Sequence, residues 1–188
     1  MKAENFISLY KMEEDICDDV IKFFNKSKNK HQKGVVGEGD IKEDLKDSVD
    51  IPVGGIDAMN NLLNPYFEEL TFALEKYKKK YIYADKTQAA YRLSGCNLQK
   101  YKPGGGFKSW HYENNGLKGS ESSKRHLVFM TYLNTCKSAG TKFFYQDKTY
   151  QCKKGNTLIW PAHWTHTHKG VLTNKLTKYI ITGWYSYE

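Results

Sequence analysis

The feature that most constrains the fold is a change of texture at Tyr91. Before it, apolar residues recur at helical spacing. After it, short β-prone runs alternate with turn residues to the end of the chain. In residues 11–26, Met12, Ile16, Val20 and Phe24, with Cys17, Ile21 and Phe23 adjoining, make one apolar stripe. Acidic residues crowd the start of that segment, where the helix dipole favours them. Asp57 is placed to cap a second helix running to about Lys80, with Met59, Leu62, Leu63, Tyr66, Phe67, Leu70 and Leu74 on its apolar face. Pro65 inside that run predicts a kink or a break into two helices. Between the helices, residues 27–40 are polar and glycine-bearing and read as a loop.

Beyond Tyr91, residues 98–101 lead into Lys102-Pro-Gly-Gly-Gly106, a strong turn signal. Residues 127–133 (LVFMTYL) form an unbroken apolar run of the length of a buried strand. Segments 141–145, 157–160 and 178–184 (KYIITGW) read as further strands. Helices first, then seven or eight strands, predict a mainly β fold: a sandwich or jelly roll buttressed by α-helices on one sheet. At 188 residues one domain suffices. We divide it into a helical support and lid region (1–90) and a jelly-roll core (91–188).

The four cysteines, Cys17, Cys96, Cys136 and Cys152, form no closely spaced pair, which suits reduced thiols rather than staples or zinc ligands. The N-terminus turns acidic before an apolar run can form a signal peptide, and no stretch is long enough to cross a bilayer. The expected location is therefore cytoplasmic, with no membrane partner. The net charge of +8 is spread over small lysine groups without an arginine stripe, so it reads as a solvated basic surface.

Within the β half, His111-Tyr112-Glu113 is followed 57 residues later by Trp164-Thr-His166-Thr-His168. In an extended strand, residues i and i+2 share a side. His111 and Glu113 would then project together, with Tyr112 facing away. Two histidines and a carboxylate from distant strands make the facial triad of a non-haem iron(II) site, with open positions for an oxidant and a co-substrate. His166 and His168 are also two apart, so strand parity leaves both open as the third ligand. His163 fits a turn.

These residues lie in a segment, from about Leu93 to Trp184, that resembles the iron(II)- and 2-oxoglutarate-dependent dioxygenases, in particular their prolyl 4-hydroxylase-like branch. The stretch Leu98-Gln-Lys-Tyr101-Lys-Pro-Gly-Gly-Gly106-Phe-Lys-Ser-Trp-His111 resembles the family's strand, glycine-rich turn and first ligand. Arg125 to Asn134, Ala139 to Phe144 and Lys154 to Pro161 resemble successive core segments. Lys178 stands ten residues after His168, the family's spacing between the distal histidine and a co-substrate-binding cation. The resemblance thus implies a double-stranded β-helix of cupin-like jelly-roll type and selects His111, Glu113 and His168 as metal ligands and catalytic residues. Glu113 departs from the family's usual aspartate but remains a hard oxygen donor; were it displaced, Asn114 or water would substitute.

By the same resemblance the cofactors are Fe(II) and 2-oxoglutarate, with ascorbate as an auxiliary reductant. Lys178 would hold the far carboxylate of 2-oxoglutarate, with Tyr132 and Tyr101 supplying hydroxyls and with Thr182 and Trp184 lining the pocket. The implied reaction hydroxylates a C–H bond and releases succinate and carbon dioxide. Its expected substrate is a protein or peptide, with small-molecule and nucleic-acid substrates as alternatives. A nucleic-acid demethylase of the same superfamily is the runner-up, although no arginine follows Arg125. A non-enzymatic cupin-like metal-binding module is the third reading. Residues 27–40 and 114–124, both polar and glycine-bearing, are the expected selectivity loops.

Overall fold

A computed structural model of the protein describes residues 5–37 and 39–188. Among them are ten strands and three α-helices: β1 (Ser8–Lys11), α1 (Glu14–Lys26), β2 (Gln32–Lys33), β3 (Val49–Val53), α2 (Gly55–Ala58), α3 (Asn64–Lys80), β4 (Tyr91–Tyr101), β5 (Arg125–Tyr132), β6 (Gly140–Phe143), β7 (Lys148–Gln151), β8 (Asn156–Pro161), β9 (His168–Val171) and β10 (Lys178–Tyr187). A seven-stranded sheet runs β1-β8-β5-β10-β4-β3-β2, and a three-stranded sheet runs β7-β6-β9. All of these pairings are antiparallel. Two antiparallel sheets, with α1 and α3 packed on the larger one, make the helix-buttressed jelly-roll class that the sequence predicts.

Helix α1 has Glu14 and Asp15 in its first turn and Lys26 in its last, which complements the dipole at both ends. Its buried face is Cys17, Val20, Phe23 and Phe24. The second predicted helix is broken ahead of Pro65. Asp57 belongs to the four-residue α2, where its side chain accepts from the Gly54 N–H, and α3 starts only at Asn64 with proline in its first turn. Met59 falls in the turn between them and is 79% exposed, so it does not extend the α3 core face of Tyr66, Leu70, Ala73 and Tyr77.

Residues 127–132 are apolar but for Thr131, whose hydroxyl is met by those of Tyr66 and Thr157, because β5 is buried on both faces. Leu127 and Phe129 pack with α1 and α3 side chains, while Val128, Met130 and Tyr132 join Phe143, Leu158 and Trp160 between the sheets. The first 90 residues do more than supply helices, since β1 and β3 extend the large sheet at opposite sides. These strands escape a pattern search because β1 is four residues long and β3 carries Pro52. β9 was unread for the same reason of length. The loop segment 27–40 contains β2, and Glu38 within it lies outside the described residues.

The chain reverses after β4 through Gly104, whose φ of +81° is open to glycine at little cost. At Gly105 a Cβ would come within 2.8 Å of the Asp47 carbonyl, so the turn's glycines let the β2–β3 connection lie against it.

Candidate metal centre and active-site cavity

His111 and His168 face one another across an isolated antiparallel bridge, with mutual backbone hydrogen bonds of 3.0 and 2.8 Å. That pairing carries the distal histidine of β9 to the proximal one. Glu113, held by its N–H on the Ala162 carbonyl at 3.0 Å, completes the group. Its Oε1 lies 3.6 Å from Nε2 of both histidines. The three ligand atoms lie within 4.8 Å of one another. Tyr112, between the two proximal residues, is 44% exposed and lines the mouth of the same cavity rather than joining the ligand group.

The donor set fits a divalent metal. His111 Nδ1 is 3.0 Å from the Ser109 carbonyl and His168 Nδ1 is 2.9 Å from the His166 carbonyl. Carbonyl acceptors on Nδ1 fix the proton there and leave both Nε2 lone pairs aimed at the cluster. Burial pushes the His168 pKa down, helped by nearby His111, so its ring is held neutral. Burial alone would raise the pKa of Glu113, but the proximity of His111 and His168 outweighs it and holds the carboxyl well below its ordinary value. A neutral imidazole and an ionised carboxylate are the forms that ligate a metal.

Glu113 Oε2 is occupied separately. It accepts from Trp184 Nε1 at 2.9 Å and from Arg125 Nη1 at 3.1 Å, and the Arg125 guanidinium stacks 3.6 Å from the Trp184 ring centroid. These bonds leave Oε1 free on the histidine side. Arg125 had gone unassigned in the sequence, although it opens an apolar strand as Lys178 does. Replacing Trp184 with Phe deletes one of these bonds at little change in bulk. Iron(II) affinity is expected to fall by about 10–100-fold with the fold retained; an unchanged anaerobic iron(II) titration would show that Trp184 does not orient the carboxylate.

His166 stands apart from the cluster. It lies in a 310 turn, where alternation of sides does not apply, and its Nε2 is 3.0 Å from the Asn5 carbonyl. His163 is exposed, as a turn residue would be. Asn114 is engaged elsewhere: its Nδ2 donates to the Ser123 and Arg125 carbonyls, at 2.9 and 2.8 Å, tying down the 114–124 loop.

The cluster forms part of the lining of a cavity of about 410 Å³, within the range of small-molecule sites. Alternate residues of β10 (Lys178, Ile180, Thr182, Trp184) and of β4 (Asn97, Gln99, Tyr101) supply neighbouring strips of its wall. Lys178 is 5% exposed; its Nζ lies 4.7 Å from the Tyr101 ring centroid, and among the described residues no carboxylate pairs with it. Desolvation lowers its pKa, against the opposing pull of Cys152 and Cys136. The Tyr101 hydroxyl donates to Gln99 Oε1 at 2.6 Å, and the Thr182 hydroxyl donates to the Phe129 carbonyl at 2.9 Å. Tyr132 differs from expectation: its hydroxyl donates to Thr141 Oγ1 at 2.7 Å, and Thr141, not Tyr132, is on the cavity wall. The family resemblance points to Tyr132, but Thr141 of β6, which takes its hydroxyl, comes between it and the cavity.

A second buried lysine was missed altogether. Lys46 Nζ binds Asp50 Oδ2 at 2.6 Å, and Gln99 Nε2 donates to the same oxygen at 3.1 Å. Lys46 precedes β3 in a segment that reads as surface, so no periodicity marks it. Lys46→Met would leave Asp50 buried without its cation, at a cost of roughly 3–5 kcal/mol. Thermal unfolding at unchanged midpoint would contradict that.

Buried lysine, histidine–carboxylate cluster and jelly roll together are the parts that a metal-dependent oxygenase of cupin-like type requires. Residues 96–186 match the family model of the 2OG-Fe(II) oxygenase superfamily. Among solved structures, a viral collagen prolyl hydroxylase from Paramecium bursaria Chlorella virus-1, in its 2OG complex, superposes with TM-score 0.70 at 15% identity, covering 96% of this chain and 95% of that one. A Pseudomonas putida prolyl-4-hydroxylase gives 0.69 at 11% identity over 97% and 92%. A Trichoplax adhaerens prolyl hydroxylase, complexed with a hypoxia inducible factor peptide fragment, gives 0.70 at 14% over 97% and 84%. Comparison with curated protein sequences gives no match. The jelly-roll half of the chain thus matches a 2OG-Fe(II) oxygenase domain, and that match with the His111, Glu113 and His168 cluster supports a dioxygenase with iron(II) and 2-oxoglutarate as cofactors. No helix among the described residues is long and apolar enough to cross a membrane.

Proposed function

We propose that the protein hydroxylates a C–H bond of a protein or peptide substrate, prolyl hydroxylase-like, while converting 2-oxoglutarate to succinate and carbon dioxide. The observation that carries the reading is Lys178, a buried ammonium without a carboxylate partner among the described residues, lining the same cavity as His111, Glu113 and His168. Burying such a charge is costly unless a ligand supplies the counter-ion. A dicarboxylate does so with its far end while its other end lies toward the histidine–carboxylate cluster.

In this scheme His111, Glu113 and His168 hold the iron, which when bound supplies the oxygen-activating chemistry. Arg125 and Trp184 hold Glu113 in orientation. Lys178 binds the far carboxylate of 2-oxoglutarate, and Thr141, polarised by the Tyr132 hydroxyl behind it, is the hydroxyl on that wall. Tyr101 backs the ammonium with its ring rather than donating its already engaged hydroxyl. Thr182 completes the wall, and Trp160 and Ile180 keep water from the co-substrate. We read residues 1–188 as one domain, with 1–90 as support and lid and 91–188 as the catalytic core. A peptide substrate is favoured over nucleic acid because the protein's neighbours are prolyl hydroxylases, one of them peptide-bound, and no arginine follows Arg125.

The test is mass spectrometry of proline-containing peptides incubated with the protein, iron(II), 2-oxoglutarate and ascorbate. A gain of one oxygen at proline, absent without 2-oxoglutarate, is the expected result. Oxidation of a methylated oligonucleotide, with no peptide modified, would replace this reading by the demethylase.

A further inference from the structure

Four large aromatic side chains stand together on the surface at the end of the small sheet that carries His168. Trp110, Phe144, Tyr145 and Trp164 are 38, 53, 60 and 58% exposed. Their rings form a continuous ladder: Trp110 to Phe144 at 5.1 Å and 89°, Phe144 to Tyr145 at 5.1 Å and 74°, and Tyr145 to Trp164 at 5.7 Å and 81°. A contiguous exposed aromatic patch is unusual on a protein surface and marks an interaction site. Nothing in the reaction scheme above uses it.

The ladder is tied to the active site by the backbone. Trp110 directly precedes His111, and Tyr112, on the other side of His111, is itself exposed and on the cavity wall. Phe144 follows Phe143, the register partner of His168, and its N–H donates to the Thr167 carbonyl at 2.8 Å. A chain with one residue in the cavity can therefore lie along the ladder with its neighbours.

We infer that this ladder is a docking surface for a proline-rich, acidic segment of the polypeptide substrate in polyproline II conformation, outside the residue that reacts. This rests on the peptide-hydroxylase reading above. Successive rings stand at 74–89° to one another, so faces and edges alternate along the ladder at steps of 5.1–5.7 Å, and a polyproline turn of about 9 Å spans two rings. Such segments dock on aromatic-lined grooves because they are already extended and lose little entropy. Stacked nucleobases would need open parallel faces instead.

Charge gives the acidic preference. Lys142 and Lys169 are direct cross-strand partners, and like charges so placed repel one another and favour an anion beside them. Lys169 Nζ also lies 4.6 Å from the Trp110 ring centroid, which puts that positive charge on the ladder itself. Asp147 approaches only Lys142, at 3.6 Å.

The experiment uses fluorescence anisotropy of the whole protein with a labelled Glu-Pro-Pro repeat peptide of about nine residues, three polyproline turns, in the absence of iron. The double variant Tyr145→Ala/Trp164→Ala should weaken binding by roughly tenfold or more, as truncation of exposed aromatic anchors does. Lys142→Glu should weaken the Glu-Pro-Pro peptide and not a Lys-Pro-Pro one. Iron-dependent succinate formation from 2-oxoglutarate alone should be unchanged in both variants, which shows them folded. Equal affinity of wild type and double variant for the peptide overturns the proposal, as does ladder-dependent binding of oligothymidylate but not of the peptide. Because binding is read without turnover, a protein that binds through the ladder but hydroxylates no peptide refutes the hydroxylase reading and leaves the ladder standing.

Discussion

Lys178→Met is expected to raise the KM for 2-oxoglutarate by about 30- to several-thousand-fold while leaving iron binding nearly unchanged. Losing one partner of a buried, hydrogen-bonded charge pair costs roughly 2–5 kcal/mol, which gives that range. Methionine keeps the stem's bulk against the Tyr101 ring and removes only the charge. The comparison is Lys175→Met, three residues earlier and exposed, which should do little. If Lys175 proves sensitive and Lys178 tolerant, the anchor is misassigned. Acidity gives a second handle. Desolvation lowers the Lys178 pKa, so the ammonium is lost earlier as pH rises and 2-oxoglutarate binding should weaken with it. Lys178→Arg, whose guanidinium does not titrate in that range, should bind with a flatter pH dependence.

His111→Ala and Glu113→Ala should each abolish succinate formation and leave a cooperatively folded protein. The ligand side chains contribute little to the hydrophobic clusters, which rest on residues such as Phe129, Leu98, Ile181 and Trp160. Glu113→Ala has a further consequence: it removes the carboxylate that accepts from the Trp184 N–H and from the Arg125 guanidinium. A modest drop in thermal midpoint is therefore expected for Glu113→Ala and a smaller one for His111→Ala. Loss of cooperative unfolding in both would mean that the pair holds the fold rather than a metal.

Much of the fold was legible because its signals are local. The 3.6-residue stripe of α1, the proline at the head of α3 and the doubly buried run of β5 each write themselves into a short window. What was lost depends on tertiary pairing. β9 is four residues long and exists because β6 and the His111 bridge pair with it. β1 and β3 gain their order as added strands of a sheet whose centre lies far along the chain. The site divides in the same way. Alternation places Glu113 beside His111, and the ten-residue spacing separates His168 from His166. Which hydroxyl reaches the cavity is decided across strands, so Thr141 stands where Tyr132 was expected. Arg125 and Lys46 were invisible because a charged residue shows its partner only after folding. The Lys46–Asp50 pair is four residues apart without being on a helix, and Arg125 meets Glu113 and Trp184 from two other segments.

The central claim is that one cavity holds a metal on His111, Glu113 and His168 and 2-oxoglutarate on Lys178. Its most direct test is succinate released from 2-oxoglutarate under air, measured with iron(II) for the wild type, Glu113→Ala and Lys178→Met. The account expects succinate from the wild type only when iron is present, none from Glu113→Ala at any co-substrate concentration, and recovery of Lys178→Met at high 2-oxoglutarate. Undiminished succinate from Glu113→Ala, or none from an iron-loaded wild type, would contradict it.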